Sequence, residues 1–291
     1  MNQLWRHLRT EEQSPDRITV WLDVSNRSVN VLFDEVFDEV LELLCYAKQR
    51  SKPPTIVFRT AKLKGFIVGA DLRRILACES DSQIQAFLKH GQDTLNELAS
   101  YVGDSIAVLD GACLGGGLEF AMACKHRLVV DKSETRIGMP EASIGLMPGW
   151  GGTQRLIKLV GIDQGMRMLL DSSVLDARQA FELGLADAIC DLDSVEEVLR
   201  GLTVGAIDGT RSRLRCKNEP ASLDVQSEWK RWLSNHTMSY SPSQQAILKA
   251  VEVGIGRSLE SSLRAERELF FALLSEPKTR QNLHKFATPK S

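Results

Sequence analysis

The segment from Gly111 to Leu156 constrains the fold and the chemistry of this 291-residue chain more than any other. In it, three consecutive glycines, Gly115 to Gly117, run directly into an apolar stretch that is expected to be a helix. Glycine lets backbone N–H groups approach a ligand closely because it has no Cβ, and a helix N-terminus adds partial positive charge at the same place. The segment therefore predicts a site for an oxygen that develops negative charge.

Two glutamates belong to the same segment. Glu119 lies inside the apolar stretch, and Glu141 follows Pro140, shortly before a second glycine-rich loop, Met147 to Gly152. Taken singly, Glu119 is equally well explained as a structural ion-pair partner, and Glu141 as an ordinary residue of a first helical turn. Their occurrence together beside two glycine loops favours proton transfer next to a carbonyl group.

The composition is that of a globular protein and argues against several functional classes. The chain is 43% hydrophobic and 25% charged, and its formal net charge of -2 gives no general indication of nucleic-acid or anionic-membrane binding. No apolar run approaches the length of a membrane span, and the N-terminal residues lack the apolar core of a secretory signal, so a cytoplasmic protein is expected. The six cysteines and five histidines are dispersed, which predicts reduced thiols and no metal site.

Hydrophobic periodicity predicts alternating strands and helices up to about residue 195 and a helical part after it. Asp71 is expected to cap a helix, and Asp176 with Gln179 is expected to form a capping box at the start of another. Residues 203–241 are polar and are expected to be irregular. The predicted strands are 18–23, 55–59, 105–109, 127–130 and 185–189, and the longer predicted helices are 33–48, 83–99, 162–170, 243–253 and 259–274.

Four segments resemble the crotonase superfamily, also called the enoyl-CoA hydratase/isomerase family. FIVGAD (Phe66 to Asp71) resembles its first oxyanion loop, and GACLGGGLEFAMACKHR (Gly111 to Arg127) resembles its second oxyanion loop with the helix that bears one catalytic glutamate. RIGMPEASIGLMPGWGGTQRL (Arg136 to Leu156) resembles the segment that bears the other glutamate, and ARQAFELGLADAI (Ala177 to Ile189) resembles the helix and strand that follow. The resemblance is closest to the hydratase portion of multifunctional fatty-acid β-oxidation enzymes. It implies an α/β fold, a crotonase-like spiral of repeated ββα units with a C-terminal helical extension.

The resemblance also implies roles for individual residues. Glu119 and Glu141 are expected to be catalytic, and the backbone N–H groups of Val68 and Gly116 are expected to form the oxyanion hole for a thioester carbonyl. No cofactor is expected, since coenzyme A enters as part of the substrate. Asp171 to Ser173 replaces a Thr-Gly pair that many relatives have near the acyl site, so the preferred acyl length stays open. The residues expected to contact the acyl-CoA are Phe66, Ile67, Gly69, Ala70, Asp71, Gly115, Pro140, Gly149 and Trp150.

The activity implied is the addition of water across the 2,3 double bond of trans-2-enoyl-CoA thioesters to give 3-hydroxyacyl-CoA, in fatty-acid β-oxidation. A Δ3,Δ2-enoyl-CoA isomerase and a non-catalytic acyl-CoA-binding subunit are the alternatives, and the retention of both glutamates favours hydration. The sequence contains no GxGxxG dinucleotide fingerprint, so a dehydrogenase, like a thiolase, is expected to be a separate partner.

The same resemblance divides the chain by function. Residues 1–195 are expected to form the acyl-CoA-binding core, and residues 196–291 a helical oligomerisation region. Members of the family commonly form trimers or paired trimers through C-terminal helices, so a homotrimer or hexamer is expected.

Overall fold

The computed structural model describes residues 5–203, 223–236 and 239–287. Their ten strands are β1 (Leu8–Ser14), β2 (Arg17–Leu22), β3 (Thr55–Thr60), β4 (Gly65–Ile67), β5 (Ser105–Leu109), β6 (Ala112–Leu114), β7 (His126–Val130), β8 (Arg136–Gly138), β9 (Val174–Leu175) and β10 (Ala188–Cys190). The larger sheet has the order β1-β2-β3-β5-β7-β10, and a smaller sheet has the order β4-β6-β8-β9. In the larger sheet β1 pairs antiparallel with β2, and the other neighbouring strands pair parallel.

Helices connect and follow these strands. The described helices are α1 (Asp34–Lys48), α2 (Leu72–Leu76), α3 (Asp81–Ala99), α4 (Gly116–Ala123), α5 (Gly152–Leu170), α6 (Ala177–Glu182), α7 (Val195–Thr203), α8 (Leu223–Asn235), α9 (Pro242–Gly254), α10 (Leu259–Leu274) and α11 (Pro277–Ala287), with short 3-10 helices η1 (Pro140–Ile144) and η2 (Leu192–Ser194). Mixed α/β structure with a largely parallel sheet agrees with the predicted fold class.

Two compact units, each assembled from separate segments, make up the described chain. The first falls within Met1–Ala70, Asp93–Ile137 and Leu175–Arg215, and the second within Asp71–Gln92, Gly138–Val174 and Cys216–Ser291. The expected division near residue 195 separates a binding core from an oligomerisation region by function, and it stays a prediction.

The core of the first unit lies on both faces of the larger sheet. On one face Val57 belongs to a fully buried cluster with residues of β5, β7 and α7. On the other face the ring of Phe58 packs edge-on against Phe120 of α4, with 5.0 Å between ring centroids. Burying one phenylalanine contributes about 1.5–3 kcal/mol. This packing holds α4, all of whose residues are buried, against the sheet.

In the second unit, α10 buries its apolar side against helices of the same chain. Leu263, Phe270 and Leu274 are buried, and α10 contacts α9, α5 and α11. The apolar stripe predicted for this helix is therefore real, but its buried part does not offer a surface to a second copy. The predicted homo-oligomer stays a prediction.

Several predicted elements are confirmed in detail. Asp71 caps α2 by accepting the N–H of Arg73 at 3.0 Å. Asp176 and Gln179 form the capping box of α6, with both reciprocal hydrogen bonds present at 2.8 and 3.0 Å. The strands predicted at 18–23, 55–59, 105–109 and 127–130 correspond to β2, β3, β5 and β7, and the predicted helices 33–48, 83–99, 243–253 and 259–274 correspond to α1, α3, α9 and α10. The strand predicted at 185–189 overlaps β10 only at its end, because β10 begins at Ala188.

Other predictions require correction. The first strand, β1, was not predicted, and neither was α11. The expected irregular region 203–241 contains α8, while residues 204–222 and 237–238 lie outside the described part. The helix expected at 162–170 begins at Gly152 and is interrupted at Gly161, whose φ of 79° and ψ of 171° break the helical geometry.

The described cysteines are free thiols, and Cys216 lies outside the described residues. Burial raises the pKa of Cys124 to about 12, which makes this thiol unreactive. Within residues 5–203, 223–236 and 239–287, no three His, Cys, Asp or Glu side chains are grouped so that they could hold a metal ion. No helix in these ranges is both long enough and apolar enough to cross a bilayer.

Candidate active site

The loop after β4 is held by backbone hydrogen bonds that decide which of its N–H groups are free. The N–H of Val68 donates to the carbonyl oxygen of Asn30 at 3.0 Å, and the N–H of Leu32 donates to the carbonyl of Gly69 at 2.9 Å. A parallel bridge between Leu32 and Ala70 continues this pairing. The Val68 N–H is therefore already used, and the prediction that it is an oxyanion donor is corrected.

The N–H of Ala70 points to the opposite side of the loop. A trans peptide holds its C=O and N–H groups antiparallel, and the chain has no cis peptide in its described part. Because the carbonyl of Gly69 points towards Leu32, the N–H of Ala70 points away from it. No acceptor for this N–H is present among the described residues. Gly69 has a φ of 120°, a conformation that side chains with a Cβ rarely adopt.

The first turn of α4 lies on that opposite side. The same argument directs the carbonyl of Ile67 away from Asn30, because the Val68 N–H points towards Asn30. A Cβ built on Gly117 would lie 2.1 Å from this carbonyl oxygen, so loop and helix backbones are in direct contact. The Ala70 N–H and the α4 N-terminus are thus on the same side of the loop.

The α4 N-terminus supplies a second unpaired donor. The N–H groups of Leu118 and Glu119 both donate to the carbonyl of Gly115, at 2.8 and 3.0 Å. The Gly116 N–H belongs to the first turn, where a helix leaves its N–H groups without internal partners, and no described residue accepts from it. Gly115, with φ 51° and ψ -125°, makes the sharp entry into this helix. The predicted donor role of Gly116 is compatible with this geometry.

The side chain of Asn30 fixes the loop by hydrogen bonds to the backbone. It was not predicted from the sequence. It is 1% exposed, and its Nδ2 donates to the carbonyl oxygens of Phe66 and Leu22 at 2.9 and 3.1 Å. Its Oδ1 accepts the N–H of Val24 at 3.0 Å. A buried amide with its hydrogen bonds satisfied fixes the backbone around it. The only signal in the sequence is one amide between Val29 and Val31.

Glu119 is buried in the first turn of α4, with 1% of its surface exposed. The helix N-terminus favours its negative charge, while burial disfavours it. Glu119, the oxyanion loop and the α4 glycines all belong to the first unit.

The first-unit residues that are predicted to bind substrate differ in how far their side chains are buried. The Phe66 side chain is fully buried and packs against Phe120 with 6.1 Å between ring centroids, and Ile67 is 1% exposed. Their side chains belong to the core. The Val68 and Ala70 side chains are partly exposed, whereas Gly69 and Gly115 are buried.

Glu141 belongs to the second unit, in the first turn of η1, where Pro140 occupies the first position. Its Oε2 atom is fully buried and has no hydrogen-bond partner in the described part of the chain. Burial, with a smaller contribution from the charge of Glu266, raises the pKa of the Glu141 carboxyl to about 7. A carboxyl with such a pKa is protonated in a substantial fraction of molecules near neutral pH and can act as a proton donor.

The glycine loop after η1 is buried in the second unit. Gly149 is tightly packed, since a Cβ there would lie 3.0 Å from side-chain atoms of both Leu88 and Phe270. Trp150 is 3% exposed and packs edge-on against Phe87, with 5.5 Å between ring centroids. The Trp150 side chain is therefore part of the core rather than an open wall for a ligand.

Two more residues of this unit, Gln92 and Glu266, hold the glycine loop and were not found from the sequence. Both are almost completely buried. The available signal for Glu266 is a carboxylate between Leu263 and Phe270, on the apolar side of a helix.

Asp71, the last of the predicted contact residues, belongs to the second unit and is 9% exposed. Its carboxylate caps α2, which gives it a structural role. Of the two glutamates predicted to be catalytic, Glu119 belongs to the first unit and Glu141 to the second, and their catalytic role stays a prediction.

The sequence is similar to that of a known protein. The chain is 31% identical over 292 residues to the fatty acid oxidation complex subunit alpha of Vibrio campbellii, a match that covers 97% of this chain and 41% of the relative. The chain therefore spans about two-fifths of the length of that curated relative.

Solved structures share the fold. An enoyl-CoA hydratase from Bacillus halodurans superposes with a TM-score of 0.70 at 19% identity, over 96% of this chain and 99% of the other. An enoyl-CoA hydratase from Mycobacterium avium subsp. paratuberculosis does so with a TM-score of 0.67 at 19% identity, over 96% and 98%. The family described as enoyl-CoA hydratase/isomerase matches residues 20–219, well over half of the sequence. Because this match covers more than half of the sequence, the chain belongs to the enoyl-CoA hydratase/isomerase family.

Proposed function

We propose that the chain is an enoyl-CoA hydratase, which adds water across the 2,3 double bond of trans-2-enoyl-CoA thioesters to give 3-hydroxyacyl-CoA. The observation that carries the proposal is the pair of backbone N–H groups, from Ala70 and Gly116, that have no acceptor among the described residues and belong to adjoining parts of one unit. Two fixed donors of this kind suit the oxygen of a polarised thioester carbonyl.

In this proposal the thioester oxygen accepts hydrogen bonds from Ala70 and Gly116. The hydrogen bonds draw electron density towards the oxygen, so C3 of the enoyl group becomes electrophilic and negative charge develops on the oxygen as water attacks. Each donor is expected to stabilise the transition state by about 3 kcal/mol, as in other sites that stabilise an oxyanion.

The two glutamates are assigned complementary proton transfers. Glu119 accepts a proton from water while the water oxygen bonds to C3, and Glu141 gives its proton to C2. The enolate thereby becomes the saturated thioester, and one proton then passes from Glu119 to Glu141 through solvent to restore both groups. The raised pKa of Glu141, about 7 because of burial, supports its role as the acid.

The test is the loss of absorbance of the conjugated thioester when crotonyl-CoA is added. Hydratase activity removes this absorbance, whereas a binding subunit leaves it unchanged while crotonyl-CoA still binds in calorimetry. Binding without turnover would overturn the proposal.

An isomerase is the second candidate, because the protonated carboxyl of Glu141 could also shuttle a single proton between C2 and C4. A 3-enoyl-CoA substrate distinguishes the two activities. Isomerisation alone makes the conjugated absorbance appear and persist, whereas hydration removes it.

The remaining expectations extend the proposal to the cell. Similarity to a subunit of a fatty acid oxidation complex supports a role in fatty-acid oxidation. A cytoplasmic location and association with a dehydrogenase or thiolase are further parts of the proposal. No cofactor is required by the proposed chemistry. Full hydration after dialysis against EDTA, without any nicotinamide, is the expected result, and activity that depends on an added divalent ion would contradict it.

A further inference from the structure

A buried carboxylate on α10 is bonded to the start of α5. The Oε1 atom of Glu266 accepts the N–H of Gly151 at 2.6 Å, and its Oε2 accepts the N–H of Thr153 at 3.2 Å. The hydroxyl of Thr153 also donates to Oε2. Glu266 is 0% exposed, so these contacts replace its hydration. A side chain from a distant helix thus caps α5.

These contacts favour the ionised form of Glu266. The Thr153 hydroxyl oxygen accepts the Gln154 side-chain amide at 2.9 Å, so its proton is directed to Glu266, which acts as acceptor in all three bonds. The Arg155 charge and the α5 N-terminus also favour a negative charge. Burial raises the pKa of Glu266 to about 7, as it does that of Glu141, so the two carboxyls together hold about one proton near neutral pH. The three donors on Glu266 place the negative charge there rather than on Glu141, whose Oε2 has no partner among the described residues.

The same helix holds the glycine loop at a second point, through Gln92. The Gln92 amide donates to the carbonyl oxygens of Gly149 and Leu263, at 2.9 and 3.0 Å, and its oxygen accepts the Arg267 guanidinium at 2.5 Å. Both ends of the short Gly149–Gly151 segment are therefore attached to α10.

Glu141 lies a few residues before this segment. Its carbonyl oxygen accepts the N–H of Leu146 at 2.9 Å, which ties η1 to the start of the loop. The unpartnered Oε2 atom of Glu141 leaves its carboxyl sensitive to nearby charge. On the elements packed against η1, the charged side chains include Arg155 on α5 and Arg280 and His284 on α11, and the charge that acts on Glu141 is that of Glu266.

We propose that Glu266 is a positioning residue for Glu141: it fixes the glycine loop that follows Glu141, and its negative charge keeps Glu141 in the protonated form that donates to C2. The proposal rests on the proposed hydratase function. In this proposal the two carboxyls of the second unit differ in protonation: Glu266 is ionised and Glu141 is protonated.

The experiment is the pH profile of kcat for the Glu266→Gln and Glu266→Asp variants with crotonyl-CoA. Without the charge, Glu141 loses its proton more readily, so the decline of kcat at high pH begins at lower pH, by about 0.5 or more, in Glu266→Gln. At pH 8 we expect kcat to fall about threefold or more with a much smaller change in KM. Glu266→Asp keeps the charge and is expected to keep the wild-type position of the decline, even where its shorter side chain lowers kcat.

Two control variants separate charge from structure. Glu268→Gln removes an exposed carboxylate from the same helix and should leave the profile unchanged. Gln92→Leu loosens the loop without changing charge, so it should lower kcat without moving the profile. A Glu266→Gln profile that keeps its position, with an equal loss of kcat at every pH, would overturn the proposal and leave Glu266 a structural cap.

A second readout does not depend on activity. The change of Tm between pH 5 and 8 includes a part that is due to the protonation of Glu141, and the Glu141→Gln substitution removes this part. We expect the part removed to be smaller when Glu266 is already replaced by Gln than in the wild type. An equal contribution in both backgrounds would overturn the proposed coupling. Absence of hydration in the wild type would instead contradict the proposed function.

Discussion

The carbonyl oxygen of Ile67 occupies the space that a side chain on Gly117 would need, since a Cβ there would lie 2.1 Å from it. This contact joins the oxyanion loop to the first turn of α4 through backbone atoms alone. The spacing of the two donors, from Ala70 and Gly116, therefore depends on Gly117 having no side chain.

We expect Gly117→Ala to lower the unfolding free energy by about 1–3 kcal/mol, because the added methyl group would meet the carbonyl group and Cβ of Ile67, which move only with the loop. Hydration should fall in parallel, since the loop and the helix must separate. Thermal unfolding and crotonyl-CoA turnover are the measurements. Gly201→Ala is the matched control: Gly201 is also helical, no atom of the described residues lies within 4 Å of an added Cβ, and the variant should gain about 0.5–1 kcal/mol of stability. Equal stability of both variants would show that loop and helix do not touch.

Replacing either proposed acid–base residue should abolish most of the activity. Glu119→Gln and Glu141→Gln are each expected to reduce kcat for crotonyl-CoA at least about a hundredfold, because each amide can neither accept nor give the required proton. The double variant should lose much less than the product of the single losses if both act in one reaction. Glu182→Gln, an exposed residue of α6, is the control. Near-normal turnover in either single variant would remove that residue from the mechanism.

The raised pKa of Glu141 predicts a pH dependence of stability. The folded state holds the Glu141 proton to about pH 7, whereas an unperturbed glutamate has a pKa of 4.5, so the folded state binds more protons between these values. Its contribution is complete below pH 4.5 and is lost as the pH rises through 7. The loss is on the order of 3 kcal/mol at most, since each pKa step corresponds to about 1.4 kcal/mol. Chemical denaturation across this range should show a shallower decline for Glu141→Gln than for the wild type, and parallel curves would contradict the prediction.

Light scattering at micromolar concentration tests the expected threefold assembly. The expected masses are three or six times the 32.4 kDa of the chain. The α10 stripe gives no support to this expectation, because it is buried against α9, α5 and α11. A mass of 32.4 kDa with full hydratase activity would show that one chain suffices.

Most of the parallel sheet could be predicted because its strands are short apolar runs bounded by turns, as in Ile18 to Leu22 and Ser105 to Leu109. The strand β1 was missed because its residues, LRTEEQS, are largely polar, and β1 is an edge strand stabilised mainly by its pairing with β2. The helix α11 is similarly polar, with Thr279 and Leu283 as its buried residues. Polar strands and helices of this kind can be assigned only when the elements that pack against them are known.

The candidate site could be located from the sequence, but its donors could not all be assigned. Gly116 follows from the rule that first-turn N–H groups lack partners. The choice between Val68 and Ala70 depends on the pairing of the loop with residues 30–32, which no local pattern encodes. Glu266 has the same difficulty, since its partner Gly151 is separated from it by 115 positions.

The donors of the oxyanion loop are backbone N–H groups, so they do not depend on which side chains the loop carries. The side chains of Val68 and Ala70 are partly exposed, whereas the conformation of the loop is set by Gly69 and by its bonds to Asn30 and Leu32. Under the proposed function, residues 68 and 70 can therefore be exchanged to fit acyl groups of other shapes while the loop keeps its backbone geometry. Substitutions at Gly69 or Asn30 would instead change that geometry, because the loop conformation depends on both residues.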